Sequence, residues 1–178
     1  MPDDEALIAA IYEEVALQPH DSAWATMFQT ERARLLSLFP GQFVDIQHIG
    51  STAIPGLPAK PIVDLLAGVR SIEVADELIA PLCDCGYITS AEFNEKLIDS
   101  RWFMRASGGH RTHHLHVAVH GSEFWLKRLR FRDALLMDAE LAARYARLKA
   151  DLASRHRNDR EAYTDAKAEF IDAASKAA

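Results

Sequence analysis

Cysteine is scarce in this sequence, and long apolar runs are missing from it. Cys83 and Cys85 are the only cysteines among 178 residues, and the single residue between them leaves too little chain for a relaxed disulfide. We therefore expect both to be reduced and to serve in packing rather than in redox or metal chemistry. No stretch approaches the roughly 18 consecutive apolar residues of a membrane span, and the acidic start lacks the segments of a signal peptide. We therefore expect a cytoplasmic protein with neither a membrane span nor a signal peptide.

Positive charge is also outnumbered. The chain has 20 lysines and arginines against 26 aspartates and glutamates, which gives a net charge of −6. This balance argues against a general affinity for nucleic acid or anionic membranes, although it permits a local basic patch. The length and the apolar fraction of 49% suit one globular domain. We predict that residues 1–178 form a single domain, with a sheet core over about 14–120 and a helical part over about 122–176.

The most informative stretch is a loop rich in glycine and proline between two predicted strands. Alternating apolar residues predict a strand over 43–49, and an almost wholly apolar run predicts a second strand over 62–69. Between them, Gly50 and Ser51 indicate a tight turn. Asp64 is the only charged residue in the second strand. A carboxylate in a buried run is costly unless it is paired, hydrogen-bonded or bound to a metal. Asp64 is therefore the first candidate for a functional residue.

The rest of the chain predicts helices around a small sheet. Gly108 and Gly109 separate two alternating segments, which is typical of a β-hairpin, and Asp138 and Asp159 stand where helix N-caps are expected. The pattern predicts an α+β fold, with a mixed sheet and helices before, within and after it. The predicted helices are 3–13, 22–38, 72–84, 122–136, 138–154 and from 159 or 160 to the C-terminus, the remaining strands are 87–90, 101–107 and 112–119, and residues 91–100 form a loop.

The turn and the aspartate together suit a phosphate group. Gly50 lets a backbone come close to a phosphate, and Ser51 offers an N–H and a hydroxyl to its oxygens. Asp64, across the loop, could bind the divalent cation that accompanies phosphates. Lys60 stands where an ammonium could meet phosphate or pair with Asp64. The alternative is a plain tight turn, a strand-end aspartate and a solvated lysine.

Histidines form the second cluster, with five of the eight between positions 110 and 120. In a strand, His114 and His116 point to one face and His113 to the other. Two imidazoles on one face could bind a transition metal, or could serve as a base and a phosphate donor. The alternative is an exposed polar sheet face. Arg105 and Arg111 beside the hairpin are weaker candidates for anion contacts.

Two motifs resemble those of the GrpB family. Residues 48–64 read HIGSTAIPGLPAKPIVD and residues 111–117 read RTHHLHV, and the likeness extends over roughly residues 14–172. It includes helical segments at 131–133, 145–149 and 159–167. The resemblance implies a nucleotidyltransferase-like fold with a mixed sheet, flanking helices and a helical C-terminal segment. Similar domains are found fused to dephospho-CoA kinase.

The nucleotidyltransferase pattern implied by this resemblance is incomplete. Gly-Ser followed by Asp-x-Asp or Asp-x-Glu falls on Gly50, Ser51 and Asp64, but Leu66 stands at the second carboxylate. No acidic residue occurs between 101 and 121 to supply a third. Because paired carboxylates hold two cations about 4 Å apart, losing one should weaken or remove the second metal. This departure argues against ordinary nucleotidyl transfer.

Three functions remain open. The first is a metal-dependent nucleotidyltransferase-like or phosphotransferase enzyme, with Mg²⁺ or Mn²⁺ at Asp64 and His116, that acts on a small molecule or nucleotide. The second is a catalytically inactive nucleotide- or cofactor-binding module, linked through the domain fusion to coenzyme A metabolism. The third is an interaction domain that uses the C-terminal helices. For the enzyme, the catalytic candidates are Asp64, His114 and His116, and the candidates for substrate or phosphate binding are His48, Gly50, Ser51, Thr52, Lys60 and Arg111.

Overall fold

The structure is a computed structural model that describes residues 4–177; residues 1–3, where the predicted helix 3–13 begins, and residue 178 lie outside the described part. The described residues form an α+β fold with one mixed sheet, which confirms the predicted class. Its strands are β1 (Asp45–Ile49), β2 (Val63–Val69), β3 (Ser100–Ser107) and β4 (His110–Val119). The helices are α1 (Asp4–Ile11), α2 (Ala23–Leu38), α3 (Ile72–Glu77), α4 (Ile79–Asp84), α5 (Ala91–Asn94), α6 (Glu123–Met137), α7 (Ala139–Arg155), α8 (Arg160–Ala166) and α9 (Ala168–Ala177).

The sheet places two strands that are distant in sequence side by side. Its order is β1-β2-β4-β3, with β2 and β4 parallel and both outer pairs antiparallel. In the parallel pair, Asp64 lies beside His114, and Leu66 lies beside His116. Directly paired residues point to the same face of a sheet. This register therefore determines which side chains can form a site together.

One face of the sheet packs on helices from the N-terminal half of the chain. Alternate side chains of β2 enter an apolar core with residues from α2, α3 and α4. The β2 side chains in this core are fully buried, because the sheet is covered on this side. The members from β2 are Val63, Leu65, Ala67 and Val69, and those from α2 are Trp24, Phe28 and Leu35.

The opposite face packs on the helical C-terminal half. The loop between β1 and β2, which includes a one-turn 3₁₀ helix (Ser51–Ala53), lies between the sheet and these helices. One apolar cluster consists of Ile49, Leu66, Ala118 and Trp125, and another contains Ile54, Leu57, Phe131, Leu135, Tyr145 and Ala174. The enclosed loop brings residues of the first half of the chain against α7 and α8.

Two predicted helices are divided in the structure. The prediction of one helix over 72–84 is wrong, because the chain breaks at Leu78 into α3 and α4. Pro81 explains the break: its ring has no N–H and clashes with the carbonyl group four residues earlier, which belongs to Glu77. The last predicted helix also divides, at Lys167, into α8 and α9.

The strand predicted over 87–90 is wrong as well. Only Ile88 pairs there, in an isolated bridge with Met104. The segment is too short for a strand because the Ser90 side chain already caps α5. The predicted loop over 91–100 therefore begins with a helical turn.

The predicted caps and hairpin turn are confirmed. Asp138 and Asp159 each accept hydrogen bonds from backbone N–H groups in the first turn of α7 and α8. Gly108 and Gly109 join β3 to β4 with φ angles of 58° and 79°, which suit a two-residue hairpin turn.

The cysteine expectation holds in part. Cys83 and Cys85 are both free. Cys85 packs against the apolar core, whereas Cys83 is exposed, so the packing role predicted for Cys83 is wrong. Over residues 4–177, no helix combines the length and the apolar character needed to cross a membrane.

Candidate functional site

Asp64 lies near the start of β2, between the sheet and the C-terminal helices, and its side chain is 25% exposed. The Nδ1 of His114 lies 3.2 Å from its Oδ1, and the Nε2 of His116 lies 3.9 Å from the same oxygen. Both histidines come from β4 and face Asp64, as the alternation along the strand predicts. Three of the predicted residues are thus brought together.

The charges in this group are well defined. Burial alone would raise the pKa of Asp64, but the hydrogen bond from His114 and the nearby imidazole of His116 outweigh it and hold that pKa well below its usual range. Burial, with help from Arg128, lowers the pKa of His116 to about 4, and burial also lowers the pKa of His114. At neutral pH the carboxylate is therefore ionised and both imidazoles are neutral. With Nδ1–H donated to Asp64, the Nε2 of His114 carries a lone pair, and this atom is buried without a partner.

Position 50 requires glycine, because its backbone conformation and its close contact with Asp64 leave no room for a side chain. Its φ is 73° and its ψ is −177°, a conformation that is essentially restricted to glycine. A Cβ at this position would lie 2.5 Å from the Oδ2 of Asp64. The carboxylate therefore occupies the space that the sequence pattern suggested for a phosphate.

Ser51 meets a lysine that the sequence analysis did not select. Lys149 of α7 is 2% exposed, and its Nζ donates to the Ser51 Oγ at 2.8 Å and to the carbonyl oxygen of Pro58. The signal was present in the sequence, because Tyr145, Lys149 and Leu152 share one face of α7, and two of these three are apolar core residues.

Two further lysines lie close to Lys149 and to Asp64. Lys60 and Lys167 have their Nζ atoms 5.1 Å and 4.3 Å from the centre of the Tyr163 ring. Burial and mutual repulsion lower the pKa of Lys60 to about 7 and that of Lys149 to about 7, and burial lowers that of Lys167 to about 8. We call Lys60, Lys149, Lys167, Asp64, His114 and His116 the basic centre.

Arg128 adds a further cation beside the basic centre. Its guanidinium lies 4.1 Å from the centre of the Phe124 ring, and its Nε is buried without a hydrogen-bond partner among the described residues. Burial lowers its pKa, and the attraction of Asp64 opposes that effect. Arg132 also points inward and donates a hydrogen bond to the Gln47 side chain.

His48 and Thr52, which were both predicted to bind phosphate, contact each other and not Asp64. His48 is on the opposite face of the sheet, where its ring stacks on Phe28 at 4.7 Å, and burial lowers its pKa to about 4. Its Nε2 lies 2.9 Å from the Oγ1 of Thr52, which is buried. This pair fixes the start of the loop.

Arg111 ties the N-terminal segment to the sheet. Its guanidinium donates to the backbone carbonyl groups of Ala10 and Ile11. Burial and the nearby Arg160 lower its pKa to about 10. Its hydrogen bonds are therefore structural ones, although its charge still acts on the pKa values of Lys60 and His114.

A cavity of about 540 Å³ lies on the other face, beside α2. His113 and Arg105 line it, together with Glu31 and Arg34. The buried Glu31 carboxylate accepts hydrogen bonds from Tyr87, Arg34 and Arg105 at 2.7–2.8 Å. Because these donors satisfy both oxygens of Glu31, the hydrogen-bonded cluster around Glu31 has a structural role. Arg105 is part of this cluster.

The donor set at Asp64 does not form a magnesium site by itself. Mg²⁺ prefers about six oxygen ligands in octahedral geometry, and Leu66 fills the place of the second carboxylate within an apolar cluster. Over residues 4–177, no three His, Cys, Asp or Glu side chains are grouped so as to hold a metal ion. The surrounding lysines also disfavour a lone dication, so any cation at Asp64 would need oxygen ligands from a bound phosphate.

Comparison with known proteins gives one family. The family model described as GrpB protein matches residues 14–177. The glutamate-rich protein GrpB of Alkalihalophilus pseudofirmus is 33% identical over 162 residues, which cover 89% of this chain and 92% of that protein. The crystal structure of the conserved protein GrpB from Enterococcus faecalis is similar, with a TM-score of 0.81, 31% identity, and coverage of 91% of this chain and 96% of that one.

Some relatives are longer. The UPF0157 protein YqkA of Bacillus subtilis is 36% identical over 157 residues, and the match covers 88% of this chain but 45% of that protein. A dephospho-CoA kinase of Mycolicibacterium paratuberculosis is 29% identical over 176 residues, which cover 86% of this chain and 43% of the kinase. This chain thus spans less than half the length of these two relatives. The match to the kinase is in keeping with the fusion implied by the sequence resemblance.

Proposed function

This chain belongs to the GrpB family, and we propose that it binds a small molecule carrying one or more phosphate groups at the basic centre. The observation that carries the proposal is the convergence of Lys60, Lys149 and Lys167 on a single carboxylate. Buried cations need counter-charges, and Asp64 supplies only one. An anionic ligand would supply the rest.

The lysines would respond strongly to such a ligand. Two unit charges 4 Å apart attract by about 4 kcal/mol at the effective dielectric near a protein surface. A phosphate beside Lys60 and Lys167 would therefore raise their pKa values from about 7 and about 8 toward the ordinary lysine value. Binding would be accompanied by proton uptake.

The ligand class follows from the same chemistry. Ammonium groups recognise phosphate as point charges, and the faces of Tyr163 and Phe124, beside Lys167 and Arg128, could contact an apolar or aromatic part of the ligand. A nucleotide has both components. The match to dephospho-CoA kinase adds coenzyme A precursors to the candidate ligands.

A second candidate is phosphoryl or nucleotidyl transfer, which the ionised Asp64 and the unpartnered Nε2 of His114 favour. In this candidate, Asp64 and His116 would hold Mg²⁺ or Mn²⁺ together with oxygens of the ligand's own phosphates. The metal would neutralise negative charge on the phosphates. Asp64 would orient His114, whose lone pair could accept a proton from the attacking group.

Thermal unfolding separates these candidates. Nucleotides, dephospho-coenzyme A and inorganic pyrophosphate are added to the wild type with and without Mg²⁺ or Mn²⁺. A ligand at 100 times its dissociation constant stabilises the fold by about 2.7 kcal/mol, which raises the unfolding midpoint. Binding predicts that Lys60→Met and Lys167→Met reduce this shift and that Lys96→Met, which changes an exposed lysine, leaves it intact.

The outcomes differ between the two candidates. A shift that needs metal and is lost in Asp64→Asn, with turnover of the ligand, supports transfer. A shift that ignores metal and survives Asp64→Asn supports binding alone. If no phosphate compound shifts the midpoint, or if the lysine variants respond like the wild type, the proposal is wrong and the C-terminal helices become the place to look for a protein partner.

A further inference from the structure

We infer that Ser51 is a nucleophile and that Lys149 is its proton acceptor, so that Ser51 takes a phosphoryl group from the bound ligand. The two groups are joined directly, with the Ser51 Oγ 2.8 Å from the Lys149 Nζ. A serine hydroxyl becomes reactive when a base lies within hydrogen-bond distance, and a neutral lysine is one of the bases that enzymes use. The inference rests on the proposed function only for its substrate class.

The position of Lys149 is fixed from two sides. The carbonyl oxygen of Pro58 accepts one N–H of the Nζ group. The same nitrogen lies 2.8 Å from the Ser51 Oγ, so when the amine is neutral its lone pair can accept the serine proton across this contact. The side chain is enclosed in the α7 face, with the Tyr145 ring centre 5.1 Å from the Nζ. Ser51 itself is only half-buried. The serine is thus the accessible member of the pair, and the lysine is the enclosed one.

The surroundings favour a neutral Lys149. No carboxylate among the described residues forms an ion pair with it, and its nearest polar partners are Ser51 and Pro58. The charged groups that face it are Lys60 from the loop, Lys167 from between α8 and α9, and Asp64 from β2. Tyr145 and Tyr163 are the other titratable groups nearby, and burial raises the pKa of both, so they stay neutral.

The step balances as follows. The Ser51 oxygen attacks phosphorus while its proton passes to the neutral Nζ of Lys149. The bond from phosphorus to the leaving oxygen breaks, and that oxygen keeps the electron pair and takes the proton from Lys149. The products are a phosphoserine and a protonated leaving group. Water then attacks the phosphoserine, Lys149 takes a water proton and returns it to the Ser51 oxygen, and inorganic phosphate leaves.

Two other lysines are the cations available to stabilise the transferred group. The charge of a phosphoryl group in flight spreads over its equatorial oxygens, and cations around it lower the barrier. Lys60 and Lys167 both lie beside the Tyr163 ring, and both interact electrostatically with Lys149 and Asp64. They are the candidates for this stabilisation, whereas Lys149 moves the proton.

The test is covalent labelling with a fluorophosphonate, which replaces its fluoride with an activated serine oxygen. Labelled protein is located by peptide mass spectrometry. We expect one label on Ser51, none in Ser51→Ala, and unchanged labelling in the control Ser107→Ala, which alters an exposed serine of the hairpin. Lys149→Met should slow labelling by about 100-fold or more, the usual contribution of a general base.

The pH dependence of labelling in the wild type tests the inference even if the Lys149→Met variant fails to fold. The wild-type labelling rate should rise with pH through an inflection near the pKa of Lys149, about 7. Lys60→Met removes a like charge, so the inflection should move to higher pH, whatever the loss of this cation does to the plateau rate. Labelling that is absent from Ser51, or a rate that increases steadily with pH without this inflection, overturns the inference.

This result is independent of the ligand panel. If nucleotides bind and Ser51 is not labelled, the nucleophile is refuted and the binding site stands. If Ser51 is labelled and no phosphate compound stabilises the fold, the nucleophile stands and the substrate class is refuted.

Discussion

Replacing Gly50 with alanine tests the link between the loop and Asp64. The φ of 73° and ψ of −177° strain any other residue by about 1–3 kcal/mol. The new methyl group would also lie 2.5 Å from the Oδ2 of Asp64, roughly 1 Å inside ordinary van der Waals contact. Overpacking of this kind costs about 1–3 kcal/mol. We expect Gly50→Ala to lower the free energy of unfolding by about 4 kcal/mol, the middle of the combined range.

The control is Gly41→Ala. Gly41 has the same φ of 73°, but a methyl group there would meet no atom within 4 Å. Gly41→Ala should lose only the strain of a positive φ, about 1–3 kcal/mol. Urea unfolding followed by tryptophan fluorescence gives both values.

A double variant isolates the contact. In Gly50→Ala combined with Asp64→Ala, the methyl group no longer meets a carboxylate, so the two changes should be less damaging together than their sum by about 1–3 kcal/mol. The reasoning would be refuted by equal losses in Gly50→Ala and Gly41→Ala, or by strict additivity in the double variant.

Other predictions concern hydrogen bonds and titration. Tyr87→Phe removes a hydrogen bond to the buried Glu31 and should cost about 1–3 kcal/mol in urea unfolding, because a buried acceptor loses a donor. The pKa of Glu31 is lowered, so its contribution to stability is present above its unfolded pKa and is lost as pH falls through the folded one; Glu31→Gln should flatten the acid limb of a stability–pH curve. Asp138→Ala removes the cap of α7 and should lower stability by about 0.5–2 kcal/mol, and no loss in urea unfolding would contradict the cap. The folded pKa of Lys60, about 7, is below its unfolded value of 10.5, so stability without ligand should rise with pH between these values, and less so in Lys60→Met.

The sequence predicted the part of the site that depends on local geometry. The alternation of side chains along a strand put His114 and His116 on one face, and an acidic residue in an apolar run selected Asp64. Their meeting depends on β2 and β4 being parallel neighbours, which fits a mixed sheet but is not determined by either strand alone.

The site residues that the sequence did not predict are brought into place by the packing of the C-terminal helices. Lys149, Lys167 and Arg128 reach the basic centre only because the C-terminal helices pack over the loop. A lysine on a buried helix face is a usable signal, but its partner lies about a hundred residues away in the chain. His48 shows the opposite limit, because its place in the motif does not say to which face of β1 its side chain points, and in the structure that side chain stacks on Phe28.

The three lysines come from different parts of the chain, and this affects how the sheet-containing half packs against the C-terminal helical half. Lys60 belongs to the loop before β2, whereas Lys149 and Lys167 belong to the C-terminal helices, so like charges meet along the seam between the halves. Without an anion this seam is a source of repulsion, and apolar contacts such as those of Ile54 and Leu57 must hold it closed. A bound anion would turn the same charges into a bridge. Amide hydrogens of α7, α8 and α9 should then exchange more slowly, far beyond the residues that touch the anion, which makes the ligand a component of the folded structure.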